Sequence, residues 1–275
     1  MTRKKILLTV TTYPLPSRSY DELVCTAGLL EDGNWIRIYP VPLSFLLRQR
    51  ASGDNKLSKY TWMELDLKRR TDDFRPESYS PKNYDFRDLE LSSWIDTKQN
   101  WAVRKSLCLK NVYTNLKELI NDSKAPKNTS LATFKPSSIS KLEIEEDDPE
   151  WKSEWKELRK QGDLFSQARE PEILIKKLPY KFYYKFTDDS GKSSRLMIED
   201  WEIGQLYWNC LKAANGDKTI ALKKLRRRYE EEFINQKDIY FFLGTTKQWH
   251  TRRATNPFVI IGIFYPKKES QMSLF

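Results

Sequence analysis

Leu23-Val-Cys-Thr-Ala-Gly-Leu-Leu30, Glu31-Asp32-Gly33-Asn34 and Trp35-Ile-Arg-Ile-Tyr39 follow one another without interruption. Two runs rich in β-branched and aromatic residues around an Asp-Gly pair predict a β-hairpin, because Asp-Gly supplies the positive φ that a tight turn requires. On the second strand Trp35, Arg37 and Tyr39 share one face, and Ile36 and Ile38 the other. An Arg between two aromatics suits base stacking. It suits equally a half-buried sheet face with the guanidinium packed on the rings.

Upstream, residues 4–12 predict a first strand, broken by Pro14 and Pro16. Ser17-Arg18-Ser19 then forms a basic, hydroxyl-rich loop suited to phosphate contact. Downstream, Pro42 opens a short helix through Arg50. Tyr60–Lys68 alternates as a strand and runs into Arg69–Tyr79, a loop mixing Arg, carboxylate, hydroxyl and aromatic side chains. Helices are expected over 98–110 and 115–123, the second capped by Thr114. Residues 124–130 read as a linker, followed by strands at 131–135 and 140–145 and a helix at 149–160.

Pro179–Phe186 alternates strictly, with Tyr180, Phe182, Tyr184 and Phe186 on one face. A strand at 193–199 and helices at 200–214 and 217–232 come next, and Gly216 ends the first of these helices. A last hairpin pairs 239–244 with 258–265 around a basic loop, 245–256. Hairpins interleaved with helices predict an α+β fold of mostly antiparallel strands. The expected parts are 1–125, 126–265, either separate or continuous with the first, and a flexible tail, 266–275.

A chain of 275 residues can bury a full core, and 39% hydrophobic content is globular despite 31% charged residues. The excess of 48 Lys and Arg over 38 Asp and Glu, a net charge of +10, favours nucleic acid as partner over a membrane surface. No apolar run reaches the length that spans a bilayer, and the apolar stretch after Lys5 is too short for a signal peptide. Cys25, Cys108 and Cys210 are odd in number and widely spaced. They read as reduced core residues of a cytoplasmic, nucleoid-associated protein rather than a disulfide framework or a zinc site.

Three places offer chemistry. Glu64, Asp66 and Lys68 share a strand face, the set with which a metal-dependent nuclease holds Mg²⁺ and steadies phosphate; the competing reading is a solvated strand edge. Mg²⁺ is expected only under the nuclease reading. Glu199, Asp200 and Glu202 stand where a strand becomes a helix, and capping explains them best. His250, the one histidine, lies in a basic loop with Lys247, Arg252 and Arg253. There it is either a polar surface residue or a general acid–base group for phosphate. Arg226, Arg227 and Arg228 precede Glu230, Glu231 and Glu232 by four residues and can be neutralised by them. The 245–253 loop, with Arg18 and Arg37, is therefore the expected nucleic-acid contact.

The last five residues, Gln271-Met272-Ser273-Leu274-Phe275, follow a basic linker, 266–270. They resemble the pentapeptide by which bacterial DNA-handling proteins dock on the polymerase sliding clamp. Met272 stands where Leu is commoner, and Gln271, Met272, Leu274 and Phe275 are the implied contacts. Leu274 and Phe275 would anchor in an apolar pocket, with Gln271 hydrogen-bonding at its rim. An internal pentamer, Gln161–Phe165, has the same first and last residues but is expected to be a packed loop.

Thr12–Ser17, Leu23–Gly28, Trp35–Pro40, Arg75–Tyr79 and Trp201–Tyr207 together resemble a group of uncharacterised bacterial proteins over nearly the whole chain. Three functions are expected to compete. They are a clamp-recruited DNA-associated protein in DNA processing, repair or phage defence, a clamp-tethered metal-dependent nuclease, and a non-enzymatic clamp-binding interaction protein.

Overall fold

The computed structural model describes residues 2–16, 22–42, 45–46, 57–151 and 176–269. The fold is α+β, as expected, in two compact units that each draw on two stretches of chain. The first takes Met1–Ile95 and Ile144–Lys181, the second Asp96–Glu143 and Phe182–Phe275.

The first unit is built from β1 (Thr2–Thr11), β2 (Leu15–Pro16), β3 (Glu22–Leu29), β4 (Trp35–Pro42), β5 (Thr61–Arg69), β6 (Ser78–Pro81) and β7 (Glu90–Trp94). The predicted hairpin is β3–β4, with Leu29 opposite Trp35 and Thr26 opposite Ile38. Its turn places Gly33 at φ 89°, and the Asp32 carboxylate accepts from the Asn34 backbone N–H at 2.8 Å. β1 pairs antiparallel with both β3 and β5, β4 pairs parallel with β6, and β6 pairs antiparallel with β5. The order β1-β3-β4-β6-β5 thereby returns to β1 and closes a five-stranded barrel, with β7 added beside β5. Closure leaves few open edges for pairing with other chains. Gly28 permits the close approach of β1, since a Cβ there would lie 2.4 Å from the Leu7 carbonyl oxygen.

Alternation sends Ile6 and Leu8 of β1, Ile36 and Ile38 of β4, and Met63, Leu65 and Leu67 of β5 into the buried core. Phe45 and Phe86 stack at 4.1 Å beside the interior that Leu8, Ile38, Met63 and Leu65 line.

The second unit contains α1 (Lys98–Cys108), β8 (Val112–Tyr113), α2 (Leu116–Asp122), β9 (Leu131–Phe134), the larger parts of β10 (Ser138–Glu146) and β11 (Tyr180–Thr187), β12 (Ser193–Met197), α3 (Trp201–Ala213) and α4 (Lys218–Arg226). A π-helical turn, Arg227–Glu232, leads to α5 (Phe233–Gln236), β13 (Tyr240–Thr245), α6 (Lys247–Thr251) and β14 (Phe258–Phe264). The strands form a sheet of order β14-β13-β9-β8 and another of order β10-β11-β12. Phe182, Tyr184 and Phe186 of β11 are buried, as the alternation predicts. Phe134, Tyr184 and Phe186 lie with their rings 5.2–6.4 Å from that of Phe241 or from one another. Such aromatic contacts add about 0.5–1.5 kcal/mol each beyond area burial.

Several local expectations change. Asn115, not Thr114, caps α2, accepting from the Lys117 and Glu118 N–H groups, while Thr114 donates to Asp189 at 2.6 Å. The side chain of Asn is a better cap than that of Thr, and one residue separates the two. Residues 266–269, read as a free linker, are held to the second unit. Asn100 makes two hydrogen bonds to the Lys267 backbone, at 3.0 and 2.8 Å, and Lys105 pairs with Glu269 at 2.8 Å. The residues after 269, including Gln271, Met272, Leu274 and Phe275, and the pentamer 161–165 lie outside the described residues. Cys25, Cys108 and Cys210 form no disulfide. Among the described residues no helix is long and apolar enough to cross a membrane.

Candidate nucleic-acid interface

The basic stretch between β13 and β14 is ordered by a short helix rather than left as a loop. Thr246 caps α6, its hydroxyl accepting from the Trp249 N–H at 3.2 Å. Arg253 adopts φ 50°, and the Trp249 carbonyl accepts from the Ala254 N–H at 3.1 Å, so the chain turns sharply back toward β14.

His250 points inward and is 7% exposed. Its Nδ1 lies 3.0 Å from the Thr245 hydroxyl, and its Nε2 faces the Ser123 carbonyl oxygen at 2.5 Å. A carbonyl can only accept, which assigns the proton to Nε2 and makes Nδ1 the acceptor for Thr245. The expectation of a surface or phosphate-facing His250 is corrected: both ring nitrogens are engaged in fastening α6.

This anchoring leaves Lys247, Trp249, Arg252 and Arg253 on the outside. Trp249 is 49% exposed, with the Arg252 guanidinium 5.8 Å from its ring. Three cations and an indole within one short stretch, Lys247–Arg253, are chemically fitted to phosphate contact and base stacking. Trp249 was missing from the expected set, although its place beside His250 in a basic stretch was a usable signal.

The barrel places the other candidates elsewhere. Glu64 and Asp66 do share the outer face of β5, with Lys68 exposed further along. Arg3 of β1 reaches among their carboxylates, 3.7 Å from Glu64, 3.9 Å from Asp66 and 2.6 Å from Glu90. Lys82 stands 3.3 Å from Asp66. Where a divalent cation would need converging oxygens there are a guanidinium and an ammonium. Among the described residues no group of three His, Cys, Asp or Glu side chains is placed to hold a metal ion. The donor set does not fit Mg²⁺, and this face is an ion-pair network.

The aspartates of the following loop are paired too, Asp72 with Arg70 at 2.5 Å and Asp73 with Arg75 at 2.6 Å. Arg37 is corrected as a surface contact. It is 3% exposed beneath that loop, its Nη1 donating to the Ser78 hydroxyl at 3.3 Å. Alternation identified the outer face of β4 but not its cover. Arg18 lies outside the described residues.

Asp200 is buried and caps α3, accepting from the Glu202 N–H at 3.1 Å. Glu199, half-buried beside it, has its carboxyl pushed up to about 7 by burial. Where α4 passes into the π-helical turn, Arg226 meets Glu230 at 3.1 Å and Arg228 meets Glu232 at 2.5 Å, so these arginines are largely neutralised. Lys247, Arg252 and Arg253 are exposed, which is what phosphate contact requires.

No curated protein matches the chain. A solved structure described as "Structure of murine DNA binding protein bound with ds DNA" is similar over 98% of this chain and 97% of that one, at 6% identity and a TM-score of 0.31. Residues 2–110 match the family model described as Domain of unknown function (DUF8758). Residues 112–275, more than half of the sequence, match a second one, and the protein accordingly belongs to the family described as Domain of unknown function (DUF8757).

Proposed function

We propose that this is a DNA-associated protein of the bacterial cytoplasm, recruited to the sliding clamp by Gln271–Phe275 and acting in DNA processing, repair or phage defence. The observation that carries the DNA-binding part is the outward set Lys247, Trp249, Arg252 and Arg253, held rigid by the inward His250. Cations on a fixed turn meet phosphate without a large ordering cost, and the net charge of +10 supports approach to a polyanion. The closed five-stranded barrel adds a fold-level analogy only, since small barrels of that size often carry oligonucleotide-binding faces.

The clamp peptide supplies the address. A five-residue anchor binds at about micromolar strength, roughly −8 kcal/mol, which suffices because tethering makes DNA contact effectively intramolecular. Residues 267 and 269, just before the peptide, bond to Asn100 and Lys105 of the second unit.

Titration of a bacterial sliding clamp with the full chain tests the address. Leu274→Ala with Phe275→Ala should abolish binding, and Leu164→Ala with Phe165→Ala should leave it intact. Absence of binding by the wild type would remove the clamp from the account. Clamp binding without DNA binding would leave a non-enzymatic interaction protein.

A further inference from the structure

The geometry points to a second nucleic-acid site, on the barrel and separate from α6, that takes a single-stranded segment with a base on Phe74. The loop joining β5 to β6 is closed at its base, where the Ser78 carbonyl accepts from the Arg70 N–H at 3.1 Å. One flank is fastened by Arg70, which donates to the Tyr39 carbonyl at 3.3 Å, and the Glu77 carbonyl accepts from the Arg37 N–H at 2.8 Å. In the middle, Asp73 and Arg75 turn inward and pair, 3% and 6% exposed.

With both its neighbours turned inward, Phe74 is presented outward, 44% exposed. An exposed ring gains little from burial, and a buried ion pair is weak evidence for stability. Rigid presentation of an aromatic face is what a recognition site requires.

The surroundings identify the ligand chemistry. Lys68 and Arg69 are exposed at the strand end that enters the loop. The Arg69 guanidinium and the Lys4 ammonium stand 5.9 and 5.5 Å from the Tyr79 ring. Cations interleaved with aromatics suit a phosphate backbone with bases turned toward the protein. Bases in a duplex have their faces covered by their neighbours, so the ligand is single-stranded. The two carboxylates that precede Phe74 are paired within the loop, Asp72 with Arg70 and Asp73 with Arg75.

The test is fluorescence anisotropy of the full chain with a labelled oligothymidylate and a labelled duplex. Phe74→Ala should weaken oligothymidylate binding about fivefold or more while changing duplex binding little. Phe74→Trp should retain it, and Arg69→Ala should lower the log–log salt slope by about 0.7. Arg252→Ala with Arg253→Ala should weaken duplex binding and spare the Phe74 dependence, which separates this site from the α6 patch. Oligothymidylate affinity unchanged by Phe74→Ala, with an unaltered circular dichroism spectrum, overturns the proposal and makes the loop a protein contact.

Discussion

Asp73 and Arg75 meet across the backbone of Phe74 through two side-chain hydrogen bonds, of 2.9 and 2.6 Å, in a site almost closed to water. Burial works against the Asp73 charge, but the hydrogen bonds and charge of Arg75, with Ser78, outweigh it and hold the carboxyl well below the usual range. Such a depressed value means that the contribution is present above the unfolded carboxyl's pKa, about 3.9, and is lost as pH falls through the folded one. Asp73→Ala should destabilise the protein by about 3 kcal/mol, because the buried Arg75 loses the carboxylate with which it pairs. Urea unfolding at pH 7 reads this directly. A change below about 0.5 kcal/mol would show that the pair does not hold the loop.

His250 provides a complementary case in the second unit. His250→Ala removes a hydrogen bond to Thr245 and one to the Ser123 carbonyl, and should destabilise by about 1–3 kcal/mol. Duplex affinity at a temperature where the variant is folded should change far less than in Arg252→Ala. Equal loss in a well-folded His250→Ala protein would return His250 to the contact surface.

Glu199 should give the stability of this protein an unusual pH dependence. Burial raises its carboxyl to about 7 in the folded chain, so between about pH 4.3 and 7 the folded state binds more protons than the unfolded one. The contribution is therefore full below the unfolded pKa and is lost as pH rises through 7. Glu199→Gln should be insensitive over this range and more stable than wild type at pH 8, by up to about 3 kcal/mol. Denaturation midpoints of the two proteins at pH 5 and pH 8 provide the check, and parallel behaviour would contradict it.

What the sequence made legible was mostly local. The β3–β4 hairpin rests on Asp32-Gly33, whose conformational demand is confined to four residues. β5 and β11 show their buried faces by alternation. Barrel closure was not legible, because it needs β1 to pair with β5 and β4 with β6, contacts between distant segments. The same distance hid His250, whose partner Ser123 lies 127 residues earlier. Arg37 was placed on the correct face, yet its burial depends on Asp73 and Arg75 folding over it. Glu64 and Asp66 were likewise legible as a face, but the insertion of Arg3 was not.

The central claim is contact with DNA through the outward residues of α6, and the salt dependence of duplex binding tests it most directly. Each phosphate contact releases condensed counterions, so log affinity falls with log salt by about 0.9 per contact. Lys247→Ala with Arg252→Ala and Arg253→Ala should weaken binding and reduce that slope by between two and three. Trp249→Ala should lower affinity while leaving the slope almost unchanged. Wild-type affinity and slope in a folded triple variant would contradict the account.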